Sequence, residues 1–344
     1  MIVKPQKAIR NQYLKKTKKV AILGGGSWAT ALVKLLTENK RKVYWYMRNE
    51  DAKDHIEQYG FNPHYLSNLK LPKKKLIIGT DINQIVDKVD VLILCIPAAY
   101  LDLELSNIKV SLKEKLIVSA VKGVIPKTLQ IIGHYLNQQW EVPLAQIAVI
   151  AGPSHAEEVA LMKLSYLTIA CQDKKQAEFI SSMLSTSYVR TKISNDIIGT
   201  EYAAMLKNIY AIAAGIAYGL DYGDNFQSVL MSNAIREMKR YVRNVHNLKR
   251  NINNSAYLGD LLVTSYSAFS RNRTFGNFIG KGHSVMNAQA EMKMVAEGYF
   301  STKSAKLLSI NFRTRTPIID AVYAVLYENK SPGKTFLELS KKLN

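Results

Sequence analysis

The stretch "VAILGGGSWATALVKLL", residues 20–36, limits the possible folds more than any other part of the chain. Val20 to Leu23 is an apolar run of strand character, and from Trp28 to Leu36 the apolar residues return at helical spacing. Between them Gly24, Gly26 and Ala29 spell G-x-G-x-x-A in a strand–turn–helix context. Gly24 permits a tight turn, Gly26 lets a pyrophosphate approach the backbone, and Ala29 lets helix pack on strand. Phosphates would then meet unpaired N–H groups at the positive helix end. The stretch predicts a nucleotide-binding turn, with a bare strand-to-helix turn as the alternative.

The same alternation continues downstream. Lys42 to Met47 reads as a second strand, and Val89 to Ile96 as a buried one stopped by Pro97. "KLIVSAVKG", "QIAVIAGPS", "YLTIAC" and "SYVRTKI" follow, with helices expected over Ile82–Val86, Lys127–Gln138 and Lys174–Leu184. Strands without clear polar alternation, separated by amphipathic helices, predict an α/β fold, a Rossmann-type doubly wound, mostly parallel sheet covered on both faces. From about Asn195 the pattern becomes helix after helix, with loops around Gly219–Asn225, Leu248–Asn254 and Asn277–His283. The expected organisation is a basic tail over 1–18, a nucleotide-binding domain over 19–194 and an all-helical, substrate-binding domain over 195–344. Such a pair leaves a cleft where a substrate can meet a cofactor.

A chain of 344 residues with a hydrophobic fraction of 47% can bury two cores. Its longest apolar run, Ile209 to Leu220, is too short to span a bilayer, so no transmembrane segment is expected. Cys95 and Cys171, the two cysteines, fall in predicted buried strands without metal or redox spacing, which points to a reducing compartment. The six histidines show no metal-binding pattern and read as surface or satisfied core positions, so no metal is expected. The net charge of +20 fits nucleic-acid binding, steering of phosphorylated substrates or a solvated lysine surface. No nucleic-acid-binding signature accompanies it, and much of the excess sits in the tail, expected to be solvated rather than a transit peptide.

Candidate chemistry gathers in four places. Arg48, just past the second strand in "YWYMRNED", stands where an arginine accommodates the 2′-phosphate of NADP, unless it is an exposed loop arginine. Lys122 in "SAVKGV" follows a strand's carboxyl end, where open α/β sheets bind ligands. "IAGPSHAEE" leads a strand into a helix, with Ser154 and Glu157 at capping-box spacing and Gly152 able to approach an anion; a plain helix start is the alternative. "EYAAMLKNIYAIAAGIAYG" is an apolar helix with Lys207 at its middle, and steps of four from Ala203 pass through Lys207 to Ala211, Gly215 and Gly219. Tight helix packing with a snorkelling lysine is one account. The other is a desolvated ammonium of lowered pKa, suited to proton transfer and held by a carboxylate. "GDLLVTSYSAFSRNRTFG" offers that carboxylate in Asp260, with Thr264 one turn on, and then Ser270, Arg271, Asn272 and Arg273, able to grip a phosphate.

Taken together, "GGGSWATAL", "SAVKG", "AGPSHAEEV", "LKNIYAIAAGI", "GDLLVTS…SRNRTFG" and "VAEGY" resemble the bacterial NAD(P)-dependent glycerol-3-phosphate dehydrogenases, in order and spacing, over nearly the whole chain after the tail. The resemblance implies reduction of dihydroxyacetone phosphate to sn-glycerol 3-phosphate for phospholipid synthesis, in the cytoplasm, by a homodimer using NADP or NAD. It also implies a 6-phosphogluconate-dehydrogenase-like helical domain after the sheet. By resemblance Ser27, Trp28, Arg48, Ala156, Val295 and Glu297 contact the cofactor, and Lys122 touches cofactor and substrate. Gly152, Ser154, Asp260 and Asn272 hold the substrate, and Ser270 and Arg271 its phosphate, with Arg271 also near the cofactor. Lys207 is the proton acceptor in oxidation and the donor in reduction. Two departures stand out: Ala29 replaces a frequent glycine, and residues 220–258 are richer in Asn and Lys than the family pattern.

Two other classes of function remain. One is another two-domain reductase, such as a ketopantoate reductase or a β-hydroxyacid dehydrogenase, against which the "SRNR" cluster argues. The other is a non-catalytic, basic nucleotide-sensing protein that binds nucleic acid, against which Lys207, Asp260 and Arg271 argue together.

Overall fold

The computed structural model describes residues 18–292 and 296–344. Its first half alternates strand and helix: β1 (Val20–Leu23), α1 (Ser27–Glu38), β2 (Val43–Tyr46), α2 (Glu50–Tyr59), β3 (Leu76–Gly79), α3 (Ile82–Asp87), β4 (Val91–Leu94), α4 (Ala98–Leu105) and β5 (Leu116–Ser119). A small hairpin of β6 (Val124–Ile125) and β7 (Gln130–Ile131) precedes α5 (Ile132–Trp140). Then come β8 (Ile147–Ala151), α6 (Ala156–Ala160), β9 (Ser165–Cys171), α7 (Lys174–Leu184) and β10 (Val189–Ser194).

The eight-stranded sheet has the order β10-β9-β8-β5-β4-β1-β2-β3. Neighbours pair in parallel except β8 and β9, so the last two strands run against the others. Every residue of β1, β4, β5 and β8 is buried, as a sheet covered on both faces requires. Alternate residues of β1 feed different cores: Val20 and Ile22 pack with α1 and α7, Ala21 and Leu23 with α3, α4 and α5. The chain leaves β1 toward β2 on one side and returns to β4 on the other. That reversal opens a crevice at the carboxyl ends of β1 and β4, the place where such sheets bind ligands.

After β10 the chain is helical: α8 (Ile197–Gly219), α9 (Gly223–Val245), a π-helical turn at Ser255–Gly259, α10 (Asp260–Tyr266), α11 (Arg271–Gly280), α12 (Val285–Glu291), α13 (Glu297–Asn311), α14 (Pro317–Tyr327) and α15 (Pro332–Ser340). Helix α8 is apolar on all sides and forms the axis of this half, buried almost throughout. Its ridge of small residues serves close packing. A Cβ on Gly276 of α11 would overlap the Ile212 carbonyl oxygen, and one on Gly215 would overlap that of Arg273. Gly280 meets Gly219 in the same way one turn further on.

Three expectations need correction. Residues 127–131 are not helical: Pro126 follows β6, Leu129 takes a left-handed conformation at φ 58°, and Val124 pairs with Ile131 to close a hairpin before α5 begins. Residues 277–280 are helix rather than loop, because the glycines hold α11 against α8 to Gly280. Cys95 lies one residue past β4, half-buried, whereas Cys171 ends β9. Among the described residues, no helix is long and apolar enough to cross a membrane, and no cluster of His, Cys, Asp or Glu could hold a metal.

Candidate active site

A cavity of about 520 Å³ runs from the glycine turn to the face of the helical half, a volume typical of small-molecule and cofactor sites. At one end it is lined by Gly24, Gly26, Ser27, Trp28 and Arg48. Gly24 has φ +122°, and a Cβ there would sit 2.7 Å from the Cys95 carbonyl oxygen. Only glycine fits that approach between the ends of β1 and β4. Two side chains brace the turn: Trp45 Nε1 donates to the Gly24 carbonyl at 2.7 Å and Asn62 Nδ2 to that of Gly25 at 3.0 Å.

The start of α1 fits a pyrophosphate. Its N-cap, Gly26, offers no side-chain hydrogen bond, and its first turn carries no acidic residue. A Cβ on Gly26 would meet nothing within 4 Å, so the space in front of the helix end is open. Unpaired N–H groups facing open space are what a dinucleotide's phosphates need.

At the other end the cavity is lined by Lys122, Ser154, Ala156 and Lys207, together with Thr264, Ser270, Arg271, Asn272 and Glu297. Lys207, on α8, forms an ion pair with Asp260, the first residue of α10, and their side chains are 3% and 2% exposed. Burial pulls the Lys207 ammonium down to about 8; Asp260 opposes the shift and neighbouring Lys122 adds to it. Asp260 is not among the residues that line the cavity, and its second oxygen accepts from Gly152 N at 3.3 Å. Gly152, at φ +110°, is likewise not a lining residue. Thr264 Oγ1 donates to the Asp260 carbonyl at 2.6 Å, and Asn208 Nδ2 donates to that of Lys122 at 3.4 Å.

The "SRNR" segment divides its work. Ser270 caps α11 by accepting from Arg273 N at 3.3 Å. Asn272 accepts from Gly298 N at 2.9 Å, tying α11 to the start of α13. Arg271 faces the cavity beside Glu297, whose carboxyl is pushed up by burial and pulled down by Arg271, Lys122 and Lys207. Arg273 does not join the expected phosphate grip: its guanidinium packs over the Tyr218 ring, 4.5 Å from the centroid. The capping box is also absent. Helix α6 begins after His155, and Ser154 Oγ donates to the Gly152 carbonyl at 3.0 Å, so Ser154 and Glu157 do not pair as a cap. Val295 lies outside the described residues.

Several lining residues carried no separate signal in the sequence. His155 is one, although it sits inside a motif already singled out. Its Nε2 is buried without a hydrogen-bond partner, its ring lies 6.4 Å from that of Phe269, and burial beside Lys122 and Lys207 lowers its pKa to about 4. A neutral imidazole therefore faces the two lysines, contrary to the expectation of surface or satisfied core histidines. Glu104, in the last turn of α4, is another.

Family models described as NAD-dependent glycerol-3-phosphate dehydrogenase N-terminus and C-terminus match residues 19–177 and 196–337. A glycerol-3-phosphate dehydrogenase [NAD(P)+] from an Exiguobacterium species is 34% identical over 325 residues, covering 94% of this chain and 95% of the relative. The enzyme of that name from Bacillus pumilus is 34% identical, covering 91% of each chain. The crystal structure of glycerol-3-phosphate dehydrogenase from Coxiella burnetii superposes with a TM-score of 0.87 at 28% identity, covering 94% of this chain and 98% of that one.

Proposed function

The chain belongs to the NAD-dependent glycerol-3-phosphate dehydrogenase family, and from that premise we propose how its residues carry out the reaction. It is an NAD(P)-dependent oxidoreductase that interconverts dihydroxyacetone phosphate and sn-glycerol 3-phosphate. The observation that carries the residue roles is the buried Lys207–Asp260 pair, opening onto the same cavity as Arg271 and the glycine turn.

When bound, the reduced nicotinamide supplies the hydride that forms the new C–H bond at the ketone carbon. Lys207 gives its Nζ proton to the carbonyl oxygen as the C=O π electrons move onto that oxygen. Asp260 pairs with the ammonium and acts as a positioning residue. Lys122 adds a second positive charge at the cavity wall, where a developing alkoxide is stabilised. Arg271 grips the phosphate, so that binding energy away from the reacting carbon aligns the ketone. In oxidation neutral Lys207 takes the hydroxyl proton.

Gly24, Gly26, Ser27, Trp28, Arg48, Ala156 and Glu297 line the cofactor's path, and Ser154, Thr264, Ser270 and Asn272 the substrate's. Gly152 contributes through Asp260. The division into a sheet domain over 19–194 and a helical domain over 195–344 follows the end of β10 and the start of α8. A homodimer in the cytoplasm fits the family resemblance, with light scattering and fractionation as the checks.

The test is dihydroxyacetone phosphate reduction followed by loss of nicotinamide absorbance, with NADH and NADPH in parallel. Turnover with either is expected. Tight cofactor binding without turnover would overturn the choice of substrate.

A further inference from the structure

The end of the cavity where β2 runs out holds a carboxylate with no part in proton transfer. Glu104, on α4, has a side chain 5% exposed, and its Oε1 lies 3.0 Å from Arg48 Nη1. Its Oε2 accepts from the Tyr46 hydroxyl at 2.9 Å. Tyr46, Arg48 and Glu104 all line the cavity. In folds of this type the end of the second strand meets the adenosine ribose: an arginine there suits a 2′-phosphate, an acid a free 2′-hydroxyl. Strand position alone assigns Arg48 to a phosphate. The tertiary structure places an acid beside it, delivered from a different helix.

We propose that Glu104 makes this site select the dinucleotide without a 2′-phosphate, by occupying Arg48 and presenting a fixed negative charge where that phosphate would lie. The inference rests on the cavity being the dinucleotide site. A dianionic phosphate sharing the Arg48 guanidinium would come within a few ångströms of the Glu104 carboxylate, and like charges at that separation repel strongly. The two partners differ in freedom. Arg48 is 68% exposed, whereas Glu104 is buried and held by Tyr46, so the carboxylate stays when the arginine moves.

The surroundings do not offset the acid. Asp81 acts on Tyr46 in the same sense as Glu104, and Glu50 is engaged by Lys53 and Thr80. Beyond Tyr46, Arg48 and Glu104, the titratable lining side chains toward this end include His64, Tyr65, Cys95 and Tyr100, while Lys122, Lys207 and Arg271 line the substrate end. In a chain of net charge +20, the lysines and the other arginine among the described lining residues lie toward the substrate end, and at this end Glu104 matches the charge of Arg48. A ribose hydroxyl, by contrast, is a donor, and each carboxylate oxygen keeps a lone pair free for one.

The experiment measures binding to the full-length protein by calorimetry, using NADH against NADPH and 5′-AMP against adenosine 2′,5′-bisphosphate. The wild type should bind the unphosphorylated member of each pair more tightly, by about tenfold, the scale of one like-charge contact. Glu104→Gln keeps the volume and a partner for Tyr46 but removes the charge, and should shift both ratios toward the 2′-phosphorylated ligand by about the same factor. Should that variant fail to fold, the wild-type ratios and their narrowing as salt rises test the same point. Tighter wild-type binding of the 2′-phosphorylated ligands, or ratios unchanged in Glu104→Gln, would overturn the role of Glu104 alone. Binding of none of the four nucleotides would overturn the dinucleotide site and this inference with it.

Discussion

Lys207 and Asp260, separated by 53 positions in the chain, meet as an ion pair almost sealed from solvent, with Asp260 also accepting from the backbone of Gly152. One carboxylate thus joins the α8 lysine, the start of α10 and the turn after β8. Lys207 lines the cavity and Asp260 does not, so the pair sets the lysine at the cavity wall with its carboxylate partner outside the lining.

Removing the ammonium should stop chemistry and spare binding. Lys207→Ala is expected to lower kcat by about a hundredfold to ten-thousandfold, the usual range for a lost general acid. Cofactor affinity, read by tryptophan fluorescence, should stay near the wild-type value. Near-normal turnover would remove Lys207 from proton transfer.

The pH profile should carry the same signature. With Lys207 near 8, the donor form dominates below that pH and the acceptor form above it. Ketone reduction should therefore fall, and alcohol oxidation rise, as pH increases through about 8. Asp260 raises the lysine's pKa against burial, so Asp260→Asn should move both limbs to lower pH. Limbs that stay in place in that variant would assign them to another group.

Arg271 lines the cavity at the first turn of α11 and should act mainly on substrate binding. Arg271→Ala is expected to raise the KM for dihydroxyacetone phosphate by about tenfold or more, since a charge-assisted forked contact is lost. Arg271→Lys should recover part of it, because a lysine keeps the charge but not the planar fork. Steady-state kinetics with an unchanged KM in the alanine variant would remove the phosphate grip.

Glycine packing between α8 and α11 should govern stability and site geometry together. A Cβ at Gly276 would overlap the Ile212 carbonyl, so Gly276→Ala must push the helices apart. The expected cost is about 1–3 kcal/mol, typical of overpacking. Thermal melting would report it, and kcat/KM should fall as well because Arg271 rides on the displaced helix. An unchanged melting temperature would mean that the helix pair absorbs the extra carbon without strain.

Signals carried within a few consecutive residues were legible. The glycine turn, the lone lysine of an apolar helix and the "SRNR" run each combine chemistry with a local conformational reason. Arg273 misled because side-chain type says nothing about which way a helix turns it: one face of α11 meets the cavity at Arg271, another meets Tyr218. Residues 127–131 misled because a favourable helical pattern lost to the pairing of Val124 with Ile131. Glu104 was invisible for a different reason. Its role needs Tyr46 from β2 and Arg48 just past that strand, and nothing in the neighbourhood of residue 104 names those partners.

Backbone preference and hydrophobic spacing act over short stretches, so the strand–helix alternation, the glycine turn and the residue types of the chemistry can be read from local segments. Which charges face one another depends on how distant segments pack. Asp260 against Lys207, Glu104 beside Arg48 and Gly276 against Ile212 are contacts between distant segments. Burial is what gives such contacts weight: it lowers the lysine's pKa, fixes the carboxylate beside the arginine, and leaves no room for one extra carbon between helices.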